Sequence, residues 1–133
     1  MKPGYLIDTS VWIPYFRESG SEWGDLIDEL VDEGRVHINL IVLAELLTGA
    51  RSPAELDQLA AALAGLIFVP GDRASAEAAG RNGAALRKKG VSVPLSDIVI
   101  ATDCIEHGLV LIEADRHYGT IAAHLPLERH GRT

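Results

Sequence analysis

The chain has 133 residues, 47% of them hydrophobic, and a formal net charge of −7 from 19 acids against 12 lysines and arginines. That length suits one domain over residues 1–133 and that apolar fraction excludes disorder, while the sign of the charge argues against binding nucleic acid by bulk electrostatics. The single cysteine, Cys104, excludes an internal disulfide and a Cys-based zinc site, no apolar run approaches the roughly 20 residues that span a bilayer, and the start does not read as a secretory signal, so a reducing cytoplasm is expected.

Strands and helices alternate along the chain. Residues 4–8 read as a first strand, and a short helix follows from Ser10 with Pro14 inside it, at the cost of one backbone bond. In "SEWGDLIDELVDE", residues 21–33, Trp23, Leu26, Ile27, Leu30 and Val31 share one helical face, and Gly34 is the stop. "RVHIN" is a short strand and "LIVLAELLTG" a helix ending at Gly49. Ser52, Pro53 and Glu55 spell an N-cap, a first helical residue and a capping box. "LIFVP" is a strand, and residues 73–89 form an Ala-rich helix closing at Gly90. "PLSDIVIATDCIEHG" is a helix with Ser96 as N-cap and Gly108 as its stop. "LVLIEAD" is a strand ending in acids; a helix over about 117–124 and a last strand near 126–129 complete the pattern. Strands separated by helices mean an α/β fold, a parallel sheet with helices on both faces, and active sites of such folds lie outside the carboxyl ends of the strands.

Four acids stand out against this background. Asp8 and Asp115 both follow strands and so project from one edge. Glu45 sits among Ile41, Val42, Leu43, Ala44, Leu46 and Leu47, a helix apolar almost all round, where a charge must be paired or must ligate. Asp97 follows the capping serine, where a helix dipole favours a carboxylate by about 0.3–1 kcal/mol. Asp103 lies well around the same helix and reads as surface. Each of the four also has an ordinary reading: an Asx turn, a first-turn acid, a salt bridge. Gathered at one edge, however, two unit charges 4 Å apart repel by about 4 kcal/mol at an effective dielectric of 20. Such a cluster must bind protons or a cation. Oxygen ligands without His or Cys suit Mg²⁺ or Mn²⁺, and an ion held that way can activate water against a phosphodiester. Thr9 and Ser10 are placed to hold a ligand carboxylate or to meet a phosphate, Glu113 is an accessory acid, and Arg116 is the candidate for phosphate contact.

The order Asp8-Thr9-Ser10, Glu45 in an apolar helix before a glycine, Asp97 in "PLSDIVIA" and Asp115 in "ADRHY" resembles the PIN-domain ribonucleases. It looks most like the toxin subunit of VapBC-type toxin–antitoxin pairs, over nearly the whole chain. The resemblance implies a Mg²⁺-dependent endoribonuclease, with Mn²⁺ as a substitute, acting on single-stranded or looped RNA. It also implies inhibition by a cognate antitoxin and frequent homodimers. The family's four acids carry over to Asp8, Glu45, Asp97 and Asp115, and its hydroxyl beside the first aspartate to Thr9 or, preferably, Ser10. Family members often have Thr or Ser where this chain has Glu113, which adds negative charge near the metal.

Other functions fit less well. A receiver-like phosphotransfer domain needs a late lysine, and the lysines here are Lys2, Lys88 and Lys89. An aspartate-nucleophile phosphatase wants Asp-x-Asp where this chain has Asp8-Thr9-Ser10. A catalytically inactive PIN-like protein-binding module is the rival of a different class. His37, His107, His117, His124 and His130 show no helical pairing of metal ligands; His117 is near the site, within reach of a phosphate, but reads as a surface residue; Cys104 reads as core, and Arg87-Lys88-Lys89 read as dipole-complementing cations at a helix end.

Overall fold

A computed structural model describes residues 2–18 and 20–131; the ends of the expected 1–133 domain lie outside them. The described elements run β1 Gly4–Ile7, α1 Thr9–Arg17, α2 Gly24–Asp32, β2 Val36–Ile38, α3 Leu40–Thr48, α4 Pro53–Leu63, β3 Ile67–Phe68, α5 Arg73–Lys88, α6 Leu95–His107, β4 Leu109–Ile112 and α7 His117–Ala122. The four strands form one sheet in the order β3-β2-β1-β4, and every pairing is parallel. Parallel neighbours cannot be joined by a tight turn, so each connection passes through helices. Consecutive strand residues point to opposite faces of a sheet. Leu6 and Ile7 on β1 have no exposed surface, and Leu111 and Ile112 on β4 have almost none, so both faces of the sheet are covered.

Each strand hands over to its helix through an Asx side chain. Asp8 caps α1 by accepting from the Ser10 N–H, Asn39 caps α3 by accepting from the Val42 N–H, and Asp72 caps α5 by accepting from the Ser75 N–H. Asp115, after β4, accepts from the His117 N–H as α7 begins. These short polar side chains satisfy helix-terminal N–H groups that have no partner within the helix. Running the sheet from β3 to β4, the strand order reverses between β1 and β4. In open parallel sheets the crevice at that reversal is where ligands bind.

Several details depart from the sequence reading. Helix α2 begins at Gly24 rather than at residue 21, and Val31 is 40% exposed rather than packed. Helix α6 begins at Leu95 with Pro94 as its N-cap: the Asp97 and Ile98 N–H groups both donate to the Pro94 carbonyl, so Ser96 lies inside the helix instead of capping it. Gly108 ends α6 in the left-handed region, φ 63°, where a side chain would be strained. The strand near 126–129 contracts to one bridge, Leu111 with Arg129. Asp103, expected at the surface, is 5% exposed and accepts from Asn39 Nδ2 at 2.9 Å.

Asn39 therefore serves twice, as the cap of α3 and as the donor to a buried carboxylate. Asn39→Ala removes both roles, and it is expected to cost about 2 kcal/mol or more, since a lost cap and an unsatisfied buried acceptor each contribute on that scale. Adding Asp103→Asn, which removes the stranded charge, should recover part of the loss in a urea titration. Equal losses in the single and double variants would show that only the cap mattered.

Candidate metal centre

The carboxyl ends of β1 and β4 bring Asp8 and Asp115 to one crevice, and the start of α6 adds Asp97. Asp8 is 5% exposed and Asp97 9%. Both oxygens of Asp8 are engaged by neutral donors. The Ser10 N–H and hydroxyl donate to Oδ2 at 3.0 and 2.5 Å, and the Tyr118 hydroxyl donates to Oδ1 at 2.8 Å. The same Tyr118 oxygen lies 3.4 Å from Asp97 Oδ1, so one buried hydroxyl stands between the two carboxylates. The Ser10 oxygen also accepts from the Ala114 N–H at 3.1 Å, which ties the end of β1 to the loop carrying Asp115.

His117 joins the other two acids. Its Nδ1 lies 2.8 Å from Asp97 Oδ2 and 3.2 Å from Asp115 Oδ1. One ligand atom from each of Asp97, Asp115 and His117 fits within 4.8 Å of the others, a spacing that can hold one divalent ion. Among the described residues, no lysine or arginine forms an ion pair with Asp8, Asp97 or Asp115. Burial pushes the Asp97 carboxyl above its usual range, and the charges of Asp115 and Asp8 push the same way against the opposing His117 bond. The Tyr118 hydroxyl is raised far above its ordinary value by burial and then by Asp8, so it stays protonated and donates. The donor chemistry fits a divalent cation: several acidic oxygens, uncompensated by protein cations, in a cleft.

The remaining sequence candidates take different places. Glu45 is exposed, which removes the premise that α3 has no solvated face; that helix also exposes Leu40, Ala44 and Thr48. Its Oε1 accepts from the Thr9 hydroxyl at 2.8 Å, at the rim beside Asp8 and outside the three-residue cluster. Glu113 is turned inward, 4% exposed; it accepts from the Asp115 N–H at 3.0 Å and has Arg129 Nη1 3.6 Å from its carboxylate. Arg116 is exposed, one residue before α7, without a carboxylate partner among the described residues. Two residues at the centre escaped the sequence reading. His117 was expected at the surface and instead contacts two acids; Tyr118 was not singled out at all. The available signal was position, since both follow Asp115 at the start of a short helix.

An aspartate-lined crevice at the strand-order reversal of a parallel α/β sheet is a site whose acidic oxygens fit a divalent cation. The model of the PIN domain matches residues 5–123, and the chain belongs to that family. No curated protein matches the sequence. Among solved structures, the chain is similar to one in the VapBC2 assembly of Rickettsia felis bound to a promoter DNA fragment, with 19% identity, TM-score 0.79 and coverage of 95% of this chain and 96% of that one. A chain of DNA-bound VapBC from Salmonella typhimurium gives 22% identity, TM-score 0.78 and coverage of 97% and 98%. One in VapBC-5 from Mycobacterium tuberculosis gives 22%, 0.70, 96% and 98%. At such identities these likenesses establish the fold.

The position of Asp97 has a measurable consequence without metal. Its folded-state affinity for a proton exceeds that of an exposed aspartate, so its charge weakens the fold as pH rises through the raised value. In EDTA at pH 8, Asp97→Asn should melt at a higher temperature than the parent, and the gain should shrink as pH falls and the parent carboxyl takes up its proton. A lower melting temperature at pH 8 would mean that the bond to His117 outweighs burial and repulsion.

Proposed function

We propose that residues 1–133 form one nuclease domain, a divalent-metal-dependent endoribonuclease that serves as the toxin of a VapBC-type toxin–antitoxin pair in the cytoplasm. The observation that carries this reading is the meeting of Asp8, Asp97 and Asp115 at the β1/β4 crevice, without a lysine or arginine partner among the described residues, in a chain of the PIN family. Asp8, Asp97 and Asp115 would hold Mg²⁺ or Mn²⁺, with Glu45 closing the rim. A divalent ion bound there supplies a Lewis acid that lowers the pKa of water and neutralises charge on a phosphoryl oxygen. The chain's own side chains do the rest. Ser10 and Tyr118 hold Asp8 in a fixed orientation, Thr9 holds Glu45 beside it, and Arg116 is free to meet the phosphate of an approaching RNA. With a net charge of −7 the chain has little general attraction for RNA, so approach depends on the ion and such local cations.

A groove of about 500 Å³ supports the partner half of the proposal. It lies between α1, α3 and α4 and is lined by Ile13, Phe16, Leu46 and Leu59, with Arg17 and Arg51 at its margin and Glu45 at the end nearest the acids. Phe16 is 37% and Ile13 44% exposed, more apolar surface than a helix needs to leave in water. An antitoxin segment seated there would lie against the catalytic edge, in keeping with the toxin–antitoxin assemblies among the structural neighbours. A homodimer is part of the same proposal and is checked by sedimentation velocity.

The test is cleavage of a mixed-sequence RNA with Mg²⁺ or Mn²⁺ and with EDTA. Asp8→Asn and Asp97→Asn are expected to lower the rate by about 100-fold or more while remaining folded. Undiminished cleavage by both variants refutes the catalytic assignment. Phe16→Glu should weaken binding of the product of the adjacent reading frame by about tenfold or more and leave cleavage intact. A wild-type chain that binds that product and cuts nothing with either metal is instead a protein-binding module.

A further inference from the structure

The metal site proposed above has a nitrogen in it. For an octahedral ion with ligands about 2.1 Å away, adjacent ligand atoms stand about 3.0 Å apart. His117 Nδ1 stands 2.8 Å from Asp97 Oδ2 and 3.2 Å from Asp115 Oδ1, on either side of that spacing. The nitrogen thus already stands at that spacing from both oxygens, and one ligand atom from each of the three residues lies within 4.8 Å of the others. The ring is held there by local structure: the His117 N–H donates to Asp115 Oδ1 at 2.9 Å, so the backbone of α7 and the imidazole converge on the same carboxylate oxygen. The next residue, Tyr118, is buried and bound to Asp8, which fixes the start of α7 against the site.

We propose that His117 is a direct metal ligand through Nδ1, and that this nitrogen shifts the ion preference of the site from Mg²⁺ towards the first-row transition ions. The inference rests on the metal-site reading and departs from its all-oxygen ligand set. Mg²⁺ takes oxygen donors and keeps much of its water, whereas imidazole nitrogen favours ions in the rising order Mn²⁺, Fe²⁺, Co²⁺. A centre with one imidazole among its carboxylates therefore discriminates more sharply than carboxylates alone would. The alternative role for His117 is positioning alone: it orients Asp97 and Asp115 by hydrogen bonds and touches no ion.

The two roles separate on the purified full-length chain with each metal chloride alone. In wild type, affinity measured by calorimetry should rise from Mg²⁺ to Mn²⁺ to Co²⁺. Pulsed electron paramagnetic resonance of the Mn²⁺ form should show coupling to a directly bound ¹⁴N. His117→Gln keeps a side-chain donor for Asp97 but offers no imidazole; it should abolish the nitrogen coupling and weaken Mn²⁺ and Co²⁺ by about tenfold or more while Mg²⁺ changes by less than about threefold. His124→Ala, at an exposed position, should retain the coupling, and circular dichroism should show both variants folded. Absence of nitrogen coupling in wild type, or equal weakening of all three ions by His117→Gln, overturns the ligand assignment. The nuclease reading is scored separately: RNA cleavage without nitrogen coupling sinks only the ligand, and nitrogen coupling without cleavage sinks only the nuclease.

Discussion

Negative charge gathered without a lysine or arginine partner among the described residues is the constraint on which the β1/β4 crevice is organised. Asp8, Asp97 and Asp115 are kept together by a serine, a tyrosine, backbone N–H groups and one imidazole. Arg129 lies 3.6 Å from Glu113 and forms no ion pair with these three acids. Two carboxylates about 4 Å apart at a protein edge repel by about 4 kcal/mol, and neutral donors offset that only in part. The rest of the fold must hold the acids where they would not gather unaided. The shared hydroxyl of Tyr118, the Ser10 link between two strand ends and the two-faced core under Leu6, Ile7, Leu111 and Ile112 are the parts that do so.

The alternation of strands and helices was readable because each element declares its ends: Gly108 stops a helix, Ser52 and Pro53 start one, and short apolar runs break on Asx residues. Asp8 and Asp115 were readable as a pair for the same reason, since parallel strands share a carboxyl edge. What the sequence concealed were relations between elements. The exposure of Glu45 depends on which side of α3 meets α4 and α6, and composition alone does not say. Asp103 looked solvated because its partner, Asn39, is 64 positions away. His117 looked ordinary because metal-ligand patterns along a chain are recognised by regular spacing, and its partners come one from the adjoining turn and one from α6. The misplaced cap of α6 has a local cause: Ser96 is a good capping residue, but Pro94 is extended, and its carbonyl takes the Asp97 and Ile98 N–H groups.

Helix capping by itself explains an Asp or Asn at the starts of α1, α3 and α5, so capping cannot be what marks the site. The contrast between the ends of β1 and β2 decides the matter. At the end of β2 the residue is Asn39, and its amide donates to the buried Asp103. An aspartate there would cap α3 equally well but would set two carboxylates 2.9 Å apart in the core. The chain uses the neutral amide where a second charge would be stranded. At the end of β1 it uses Asp8, although Asp97 and Asp115 stand nearby and an asparagine would cap α1 as well. Capping is indifferent between the two residues, so capping does not account for the carboxylate at Asp8. The accumulation of charge between β1 and β4 is therefore a property of that crevice rather than a by-product of ending strands, which is the arrangement the proposed metal site requires.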